Sequence, residues 1–88
     1  MLVRYFAAAR AAAGREEEKF DLPDGATVAH LLEAVLGVPR AEPPAGTPPL
    51  ARLVSRSSFL LNEVAVRDRA TVLAPDDVVD VLPPFAGG

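Results

Sequence analysis

The residues best suited to chemistry stand at the end of the chain, in the segment Pro83-Pro84-Phe85-Ala86-Gly87-Gly88. This segment follows the apolar run Val78–Leu82, which predicts a short buried strand. Two prolines stop that strand, because neither can donate to a β-ladder and both favour an extended backbone. At ~3.1 Å per residue, the six residues could reach roughly 19 Å from the sheet. We expect the chain to end at Gly88 with a free carboxylate held out for another protein.

Two interpretations of the terminal glycines are open. Gly87 and Gly88 carry no Cβ, so a partner's backbone or a reactive group can approach the terminal carbonyl closely. The other interpretation is a frayed end with two glycines by chance, since chain termini are often poorly ordered. Gly-Gly alone favours the frayed end. The preceding strand, the proline stem and the expected end of the chain at Gly88 favour a presented tail.

The length, charge and cysteine content of the chain exclude several classes of protein. With 88 residues we expect one domain with a modest core and no deep catalytic cleft. The net charge of −3, without a basic block, argues against nucleic-acid or anionic-membrane binding. Cysteine is absent, which excludes disulfides, thiolate nucleophiles, zinc thiolate sites and Cys-ligated iron–sulfur clusters. Neither a signal peptide nor an apolar run of membrane-spanning length is predicted, so the expected location is cytoplasmic.

Other side chains that could do chemistry have simpler explanations. His30, the only histidine, lies off the apolar stripe of its predicted helix and is interpreted as a surface or boundary residue. Asp76, Asp77 and Asp80 could form a metal site, but a solvated turn and an outward strand residue fit the pattern better. The run Glu16–Glu18 is interpreted as a solvated edge. Without a glycine-rich phosphate loop, the chain is expected to bind no ATP, metal or other cofactor itself. By elimination, the terminal carboxylate is the most reactive group.

Short strands and two helices are predicted to position the tail. The predicted strands are Met1–Phe6, Lys19–Leu22 (with Phe20 and Leu22 inward), Ser58–Leu61, Val64–Val66 and Val78–Leu82. The predicted helices are an Ala-rich one, Ala7–Ala13, ended by Gly14, and a main one, Val28–Leu36, with Thr27 as N-cap and Gly37 at its end. The segment Leu50–Ser57 is ambiguous, and Pro39–Pro49 is either a recognition loop or a mobile insertion.

This order of elements predicts an α+β fold of the β-grasp, or ubiquitin-like, class. A mixed sheet of four to five strands would pack on the main helix, with the short Ala-rich helix beside it. Residues 1–82 would form this single domain and residues 83–88 the extended tail.

The terminal carboxylate could be activated by another protein. A carboxylate is a poor electrophile, but adenylation would give an acyl–AMP with a good leaving group. A sulfur donor could then displace AMP and leave a thiocarboxylate, which makes the tail a sulfur donor. The lack of cysteine fits this chemistry, because no side-chain thiol could capture the activated end.

The tail Leu82–Gly88 resembles the Pro-Pro-Val-(Ala/Ser)-Gly-Gly ending of the small, sulfur-carrier subunit of molybdopterin synthase. Asp77-Val78-Val79 is similar to the Gly-Asp-Glu-Val turn of that family, and Phe59–Asn62 to its Val-Ala-Val-Asn strand and turn. Val3–Ala13 resembles its Tyr/Phe-Phe-Ala strand and short helix. The resemblance covers most of the chain except residues 38–57.

The resemblance implies a role for each residue of the tail. Gly88 would bear the thiocarboxylate, Gly87 would give it clearance, Phe85 would anchor the tail against a partner, and Pro83, Pro84 and Ala86 would complete the partner-binding segment. The implied partners are an adenylating sulfurtransferase, which uses the ATP, and the large catalytic subunit of molybdopterin synthase. The implied assembly is a heterotetramer of two small and two large subunits, with this chain as the non-catalytic carrier for molybdenum-cofactor synthesis.

Three departures from the family pattern bear on which carrier branch this is. Phe85 replaces a smaller valine, Glu63 replaces the usual turn glycine, and Pro75-Asp76 alters the Asp-Gly turn. A carrier for thiamine or cysteine synthesis would use the same chemistry, but the Pro-Pro stem and Val3–Ala13 favour the molybdopterin branch. Two more functions stay open: a protein modifier that forms isopeptide bonds through Gly88, and a β-grasp interaction module with an inert tail.

Overall fold

The structure, a computed structural model, describes residues 1–84. Its elements are β1 (Leu2–Tyr5), α1 (Ala7–Ala13), β2 (Glu17–Lys19), α2 (Val28–Leu36), α3 (Leu50–Arg56), β3 (Ser58–Leu61), β4 (Val64–Val66) and β5 (Val78–Leu82). The four residues Phe85, Ala86, Gly87 and Gly88 lie outside the described residues, so their expected roles stay predictions. The division of the chain at residues 82 and 83 stays a prediction too.

One five-stranded sheet organises the fold, in the order β2-β1-β5-β3-β4. The first strand, β1, runs parallel to the last strand, β5, and antiparallel to β2. On its other side β5 runs antiparallel to β3, which forms a hairpin with β4. This mixed sheet, packed on helices, is the β-grasp arrangement, and the predicted fold class is confirmed.

The core lies between one face of this sheet and the helices. Val3, Val79 and Val81 alternate along β1 and β5 and have no exposed surface. Opposite them, α2 presents the predicted stripe, of which Leu31 and Val35 are fully buried. The hydroxyl of Thr27 accepts a hydrogen bond from the backbone N–H of His30, which confirms the predicted N-cap.

A third helix was not predicted. The ambiguous segment forms α3, whose side chains Leu50, Leu53 and Val54 are buried. Seven residues contain too few turns for helical spacing to identify a helix, since so short a helix depends on packing. Its contacts with α1 and α2 supply that packing.

The second strand lies earlier in the chain than predicted, and one glutamate was wrongly assigned to solvent. β2 is Glu17–Lys19, and Phe20 and Leu22 follow it as half-buried residues against the core. Glu18 pairs with Val3 across the sheet, so its side chain points to the core face and is only 6% exposed. The rest of the predicted solvated edge, Glu16 and Glu17, is exposed.

The buried carboxylate of Glu18 is stabilised by an arginine from the proline-rich segment. Arg40 Nη2 lies 2.8 Å from Glu18 Oε1, and the Tyr5 hydroxyl donates to the same oxygen at 2.6 Å. Arg40 also donates to the backbone carbonyls of Ala13 and Val35, both at 3.0 Å. Burial favours the neutral acid, but the hydrogen bonds from Arg40 and Tyr5 outweigh it and lower the pKa of Glu18.

We expect the substitution Glu18→Gln to lower the free energy of unfolding in a pH-dependent way. The folded-state pKa of Glu18 lies below the unfolded value, so its stabilisation is present above that value, about 4.5, and is lost as the pH falls through the folded-state pKa. At neutral pH the loss should be about 2 kcal/mol, the scale of hydrogen bonds to a charged group. Chemical denaturation at pH 7 and at decreasing pH values would measure the difference from the wild type.

The matched control is Glu17→Gln, because Glu17 directly precedes Glu18 in β2 and its side chain is exposed. It should change the free energy of unfolding little, within the usual range for surface residues. A Glu18→Gln effect that is the same at every pH, or no larger than the control, would contradict this account.

Candidate functional site

The strand that carries the tail lies in the middle of the sheet. On one side of β5, Val81 is paired with Tyr5 of β1, and on the other side with Phe59 of β3. Leu82, the last residue of the strand, is paired with Ser58. Because β5 is hydrogen-bonded on both sides, the point at which residue 83 leaves the sheet is fixed relative to the whole domain.

The beginning of β5 is held by the turn between β3 and β4. Asn62 Nδ2 donates to Asp77 Oδ1 at 2.9 Å, and the backbone N–H of Val78 donates to Asn62 Oδ1 at the same distance. The predicted turn at Asn62 and Glu63 is confirmed, and both residues have positive φ, 49° and 69°. Asp77 also accepts from the backbone N–H of Ala74, so this aspartate shapes the turn before β5 and is not simply solvated.

The proline stem begins beside an apolar groove of about 630 Å³. The groove is lined by Phe6, Ala7, Ala8, Ser58, Leu82, Pro83 and Pro84. Of the predicted tail residues within the described part of the chain, Pro83 is half-buried and Pro84 is exposed. The structure brings both together with Phe6, whose side chain is 40% exposed and which was not predicted to belong to the site.

An unusual backbone angle at Ala7 directs the chain past this groove. Ala7 has φ 50°, in the left-handed region that alanine enters only at a cost of roughly 1–2 kcal/mol. It lies at the junction of β1 and α1, immediately after Phe6, whose backbone N–H donates to the carbonyl of Val81 at 3.3 Å. The junction is therefore bonded directly to the strand that carries the tail.

Asp80 lies on the outward face of β5, as predicted, and its carboxylate is buried in an ion pair with Arg4. Arg4 Nε and Nη2 donate to the two carboxylate oxygens of Asp80 at 2.6 and 2.9 Å. The Asp80 side chain is only 5% exposed, whereas that of Arg4 is 38% exposed. The hydrogen bond to Asp80 raises the pKa of Arg4 above its ordinary value. No local pattern indicates this pair, because its members are 76 residues apart and meet only through the β1–β5 pairing.

The remaining candidates lie away from the tail and have structural roles. His30 is exposed, as predicted, and its Nδ1 accepts from the backbone N–H of Thr27 at the start of α2. Asp76 is exposed in its turn. Within residues 1–84, no three His, Cys, Asp or Glu side chains stand close enough together to hold a metal ion. Over the same residues, no helix has the length and apolarity needed to cross a membrane.

The positive φ at Ala7 predicts that two alanine-to-glycine substitutions in α1 change the free energy of unfolding in opposite directions. Ala7→Gly should raise the free energy of unfolding by about 1 kcal/mol, because glycine adopts positive φ without the Cβ clash. Ala11→Gly is the matched control, since Ala11 is an exposed residue within α1, and it should lower stability by about 0.5–1 kcal/mol. Thermal denaturation would separate the two variants, and a loss of stability in both would contradict the positive φ at Ala7.

Comparison with known proteins places the chain in a family. Residues 3–88 match the model of the ThiS family. The molybdopterin synthase sulfur carrier subunit of Chlamydomonas reinhardtii is 34% identical over 87 residues, which is 98% of this chain and 95% of that protein. Among solved structures, SAMP1 of Haloferax volcanii has a TM-score of 0.79 at 25% identity, covering 100% of this chain and 98% of that one. A Pyrococcus furiosus protein provisionally named molybdopterin converting factor, subunit 1, has a TM-score of 0.71 at 26% identity, covering 96% and 95% of the two chains. Because the family match spans nearly the whole sequence, the chain belongs to the ThiS family.

Proposed function

We propose that this chain is the sulfur carrier of a molybdopterin synthase and that Gly88 carries the sulfur. The observation that carries the proposal is the position of β5: a central strand, bonded on both sides, leads directly into Pro83 and Pro84 and the terminal Gly-Gly. Membership of the ThiS family and the name of the Chlamydomonas reinhardtii relative support this assignment.

The proposed chemistry takes place at the terminal carboxylate in two steps. A carboxylate oxygen of Gly88 attacks the α-phosphate of ATP on a partner enzyme, and pyrophosphate leaves. Sulfide then attacks the carbonyl carbon of the acyl–AMP, AMP leaves with the bridging oxygen, and the terminus becomes a thiocarboxylate. The soft sulfur is a better nucleophile than oxygen, so it can be transferred to an acceptor bound by a second partner.

The residues of the tail suit entry into a partner's active site. Pro83 and Pro84 restrict the backbone and lower the entropy that is lost when the tail is bound. Gly87 offers no Cβ to obstruct a narrow channel. Phe85 supplies an aromatic anchor in this proposal, with Ala86 as a small spacer between the anchor and the glycines.

Two partners follow from this proposal, and the catalytic groups belong to them. The first is an adenylating sulfurtransferase, which binds ATP and activates Gly88. The second is the large catalytic subunit of molybdopterin synthase, which receives the tail and uses its sulfur to build the dithiolene. The proposed assembly contains two small and two large subunits.

A second candidate function is protein modification through an isopeptide bond at Gly88. It is favoured by the likeness to SAMP1 of Haloferax volcanii, since a protein of that organism with a TM-score of 0.76 is named small archaeal modifier protein 1. Both functions begin with adenylation of the same carboxylate. They differ in the nucleophile that displaces AMP, which is sulfide for the carrier and a lysine amine for the modifier.

The test is an intact mass measurement after incubation with ATP, sulfide and an adenylating partner. The carrier function predicts a mass increase equal to the replacement of one oxygen by sulfur, located at Gly88 by fragmentation. Addition of the large subunit and its substrate should return the mass to that of the carboxylate as dithiolene forms. The partner enzyme is shown to be active by converting its own carrier protein to a thiocarboxylate in the same assay. If the mass of this chain then stays unchanged, the proposal is contradicted.

The matched controls move the same short Ser-Gly peptide between two positions. Added after Gly88, it should abolish sulfur incorporation, because Gly88 then has no free carboxylate and the chain ends in Ser-Gly in place of Gly-Gly. Inserted after Gly46, in an exposed turn, it should leave sulfur incorporation unchanged. Conjugates with lysines of other proteins, formed in place of the thiocarboxylate, would favour the modifier.

A further inference from the structure

A cleft with two arginines in its wall lies where β3 begins and β4 ends. These two strands are paired there, Phe59 with Val66. The cleft has a volume of about 280 Å³. Its lining residues, which we call the arginine cleft, are Ser57, Ser58, Phe59, Ala65, Val66, Arg67 and Arg69. The function proposed above makes no use of this part of the molecule.

The positive charge of the arginine cleft is not balanced by carboxylates of the protein itself. Within residues 1–84, four other arginines each pair with a carboxylate, but Arg67 and Arg69 form no such pair. Asp68 stands between them in the sequence, and its Oδ1 accepts from the backbone N–H of Ala70 at 2.9 Å. Two like charges on one cleft repel each other, and an anion bound between them would offset that repulsion.

Arg69 is held in position by two contacts. The central carbon of its guanidinium lies 5.4 Å from the centre of the Phe59 ring, which is a cation–π contact. Phe59 is itself fixed in the core, with only 6% of its surface exposed. The backbone carbonyl of Arg69 accepts from the N–H of Ala29 at 2.9 Å, which ties this residue to α2. A side chain positioned in this way loses less entropy when it binds a ligand.

The donors of the arginine cleft suit a phosphate group better than a carboxylate. One guanidinium binds both oxygens of a carboxylate, as Arg4 does for Asp80 at 2.6 and 2.9 Å. A phosphate group has three terminal oxygens and a charge of about −2, so it can accept from both Arg67 and Arg69. Ser58 is exposed and adds a hydroxyl donor. These donors are side chains, so the expectation drawn from the missing glycine-rich loop does not apply to them.

The apolar part of the arginine cleft favours an ester over free phosphate. Phe59, Ala65 and Val66 offer carbon surface beside the arginines, which inorganic phosphate would leave uncovered. The volume of about 280 Å³ is close to the lower end of the range for small-molecule sites, roughly 300 Å³. The ligand class that fits both parts is a phosphate monoester with a small organic group.

We propose that the arginine cleft binds a small phosphate monoester and that Arg67 and Arg69 recognise its phosphate group. This inference goes beyond the proposed function and does not depend on it, because the lining residues belong to β3, β4 and the segments that flank them. Ser58 of the cleft is paired with Leu82, the last residue of β5. A bound ligand would therefore lie beside the strand next to β5.

The experiment is an NMR titration of the full chain, which follows the backbone amide signals. The probes are phenyl phosphate, inorganic phosphate and, at the same ionic strength, chloride. With phenyl phosphate we expect saturable shifts at Ser58, Ala65 and Arg69. Inorganic phosphate should bind at the same residues with lower affinity, because it covers no apolar surface, and chloride should not produce these shifts.

Three variants separate recognition by the cleft from general effects of charge. Arg67→Gln and Arg69→Gln should each raise the Kd for phenyl phosphate about 10-fold, because each removes charge-assisted hydrogen bonds to the phosphate. Arg52→Gln is the matched control: it removes the same charge from an exposed position on α3 outside the cleft, and its Kd should equal that of the wild type. Thermal denaturation verifies that each variant is folded. Arg67→Gln keeps the test decisive if loss of the contact between Arg69 and Phe59 destabilises the other variant.

Several outcomes would overturn this inference. If Arg67→Gln binds phenyl phosphate as tightly as the wild type, or if chloride reproduces the shifts, the cleft does not recognise phosphate. If inorganic phosphate binds as tightly as phenyl phosphate, the ligand class is wrong. If phenyl phosphate binds only after residues 85–88 are deleted, the cleft belongs to the terminal carboxylate of the chain itself and not to a phosphate monoester.

Discussion

The parallel pairing of β1 with β5 is the contact on which the rest of this structure depends. It joins β1, the first strand, to β5, the last strand of the described chain. Most of the sequence therefore lies between the two paired strands, in the loop that their pairing closes. Closing that loop costs chain entropy, which burial of Val3, Val79 and Val81 helps to offset. The pairing puts β5 in the centre of the sheet, so residue 83 leaves from a strand that is hydrogen-bonded on both sides. In the proposed function, this gives the tail a fixed origin.

Each face of the sheet carries one buried carboxylate, and an arginine stabilises each of them. On the core face Glu18 is bound by Arg40, and on the outward face Asp80 is bound by Arg4. Pairs of this kind often add little net stability, because desolvation of both charges opposes their attraction. Their consequence is geometric: Arg40 ties the start of the proline-rich segment to the sheet, and Arg4 holds a charge in an otherwise apolar surface.

Residues of unusual backbone conformation lie at the two ends of the tail-bearing strand. Ala7, with positive φ, follows the strand beside the end of β5, while Asn62 and Glu63, also with positive φ, form the turn that binds its beginning. In both places a backbone N–H donates to a carbonyl of β5, from Phe6 to Val81 and from Asn62 to Val78. Positive φ costs a non-glycine residue free energy, and at both places the chain beside it is hydrogen-bonded to β5.

The sequence by itself determined the elements whose patterns are local. A short apolar run predicted β5, the helical stripe and its cap predicted α2, and the order of elements predicted the β-grasp class. Sequence also located the candidate tail, since glycine and proline carry their conformational meaning in their own covalent structure. Tertiary structure decided the rest: that Glu18 and Asp80 are buried, that β2 begins at Glu17, that Phe6 lies beside Pro83 and Pro84, and that Arg4 pairs with Asp80. Each of these depends on a partner distant in sequence, 22 residues away for the Glu18–Arg40 pair and 76 for Arg4–Asp80. The sequence shows that a side chain is charged, but only the tertiary structure shows whether an opposite charge lies within reach of it.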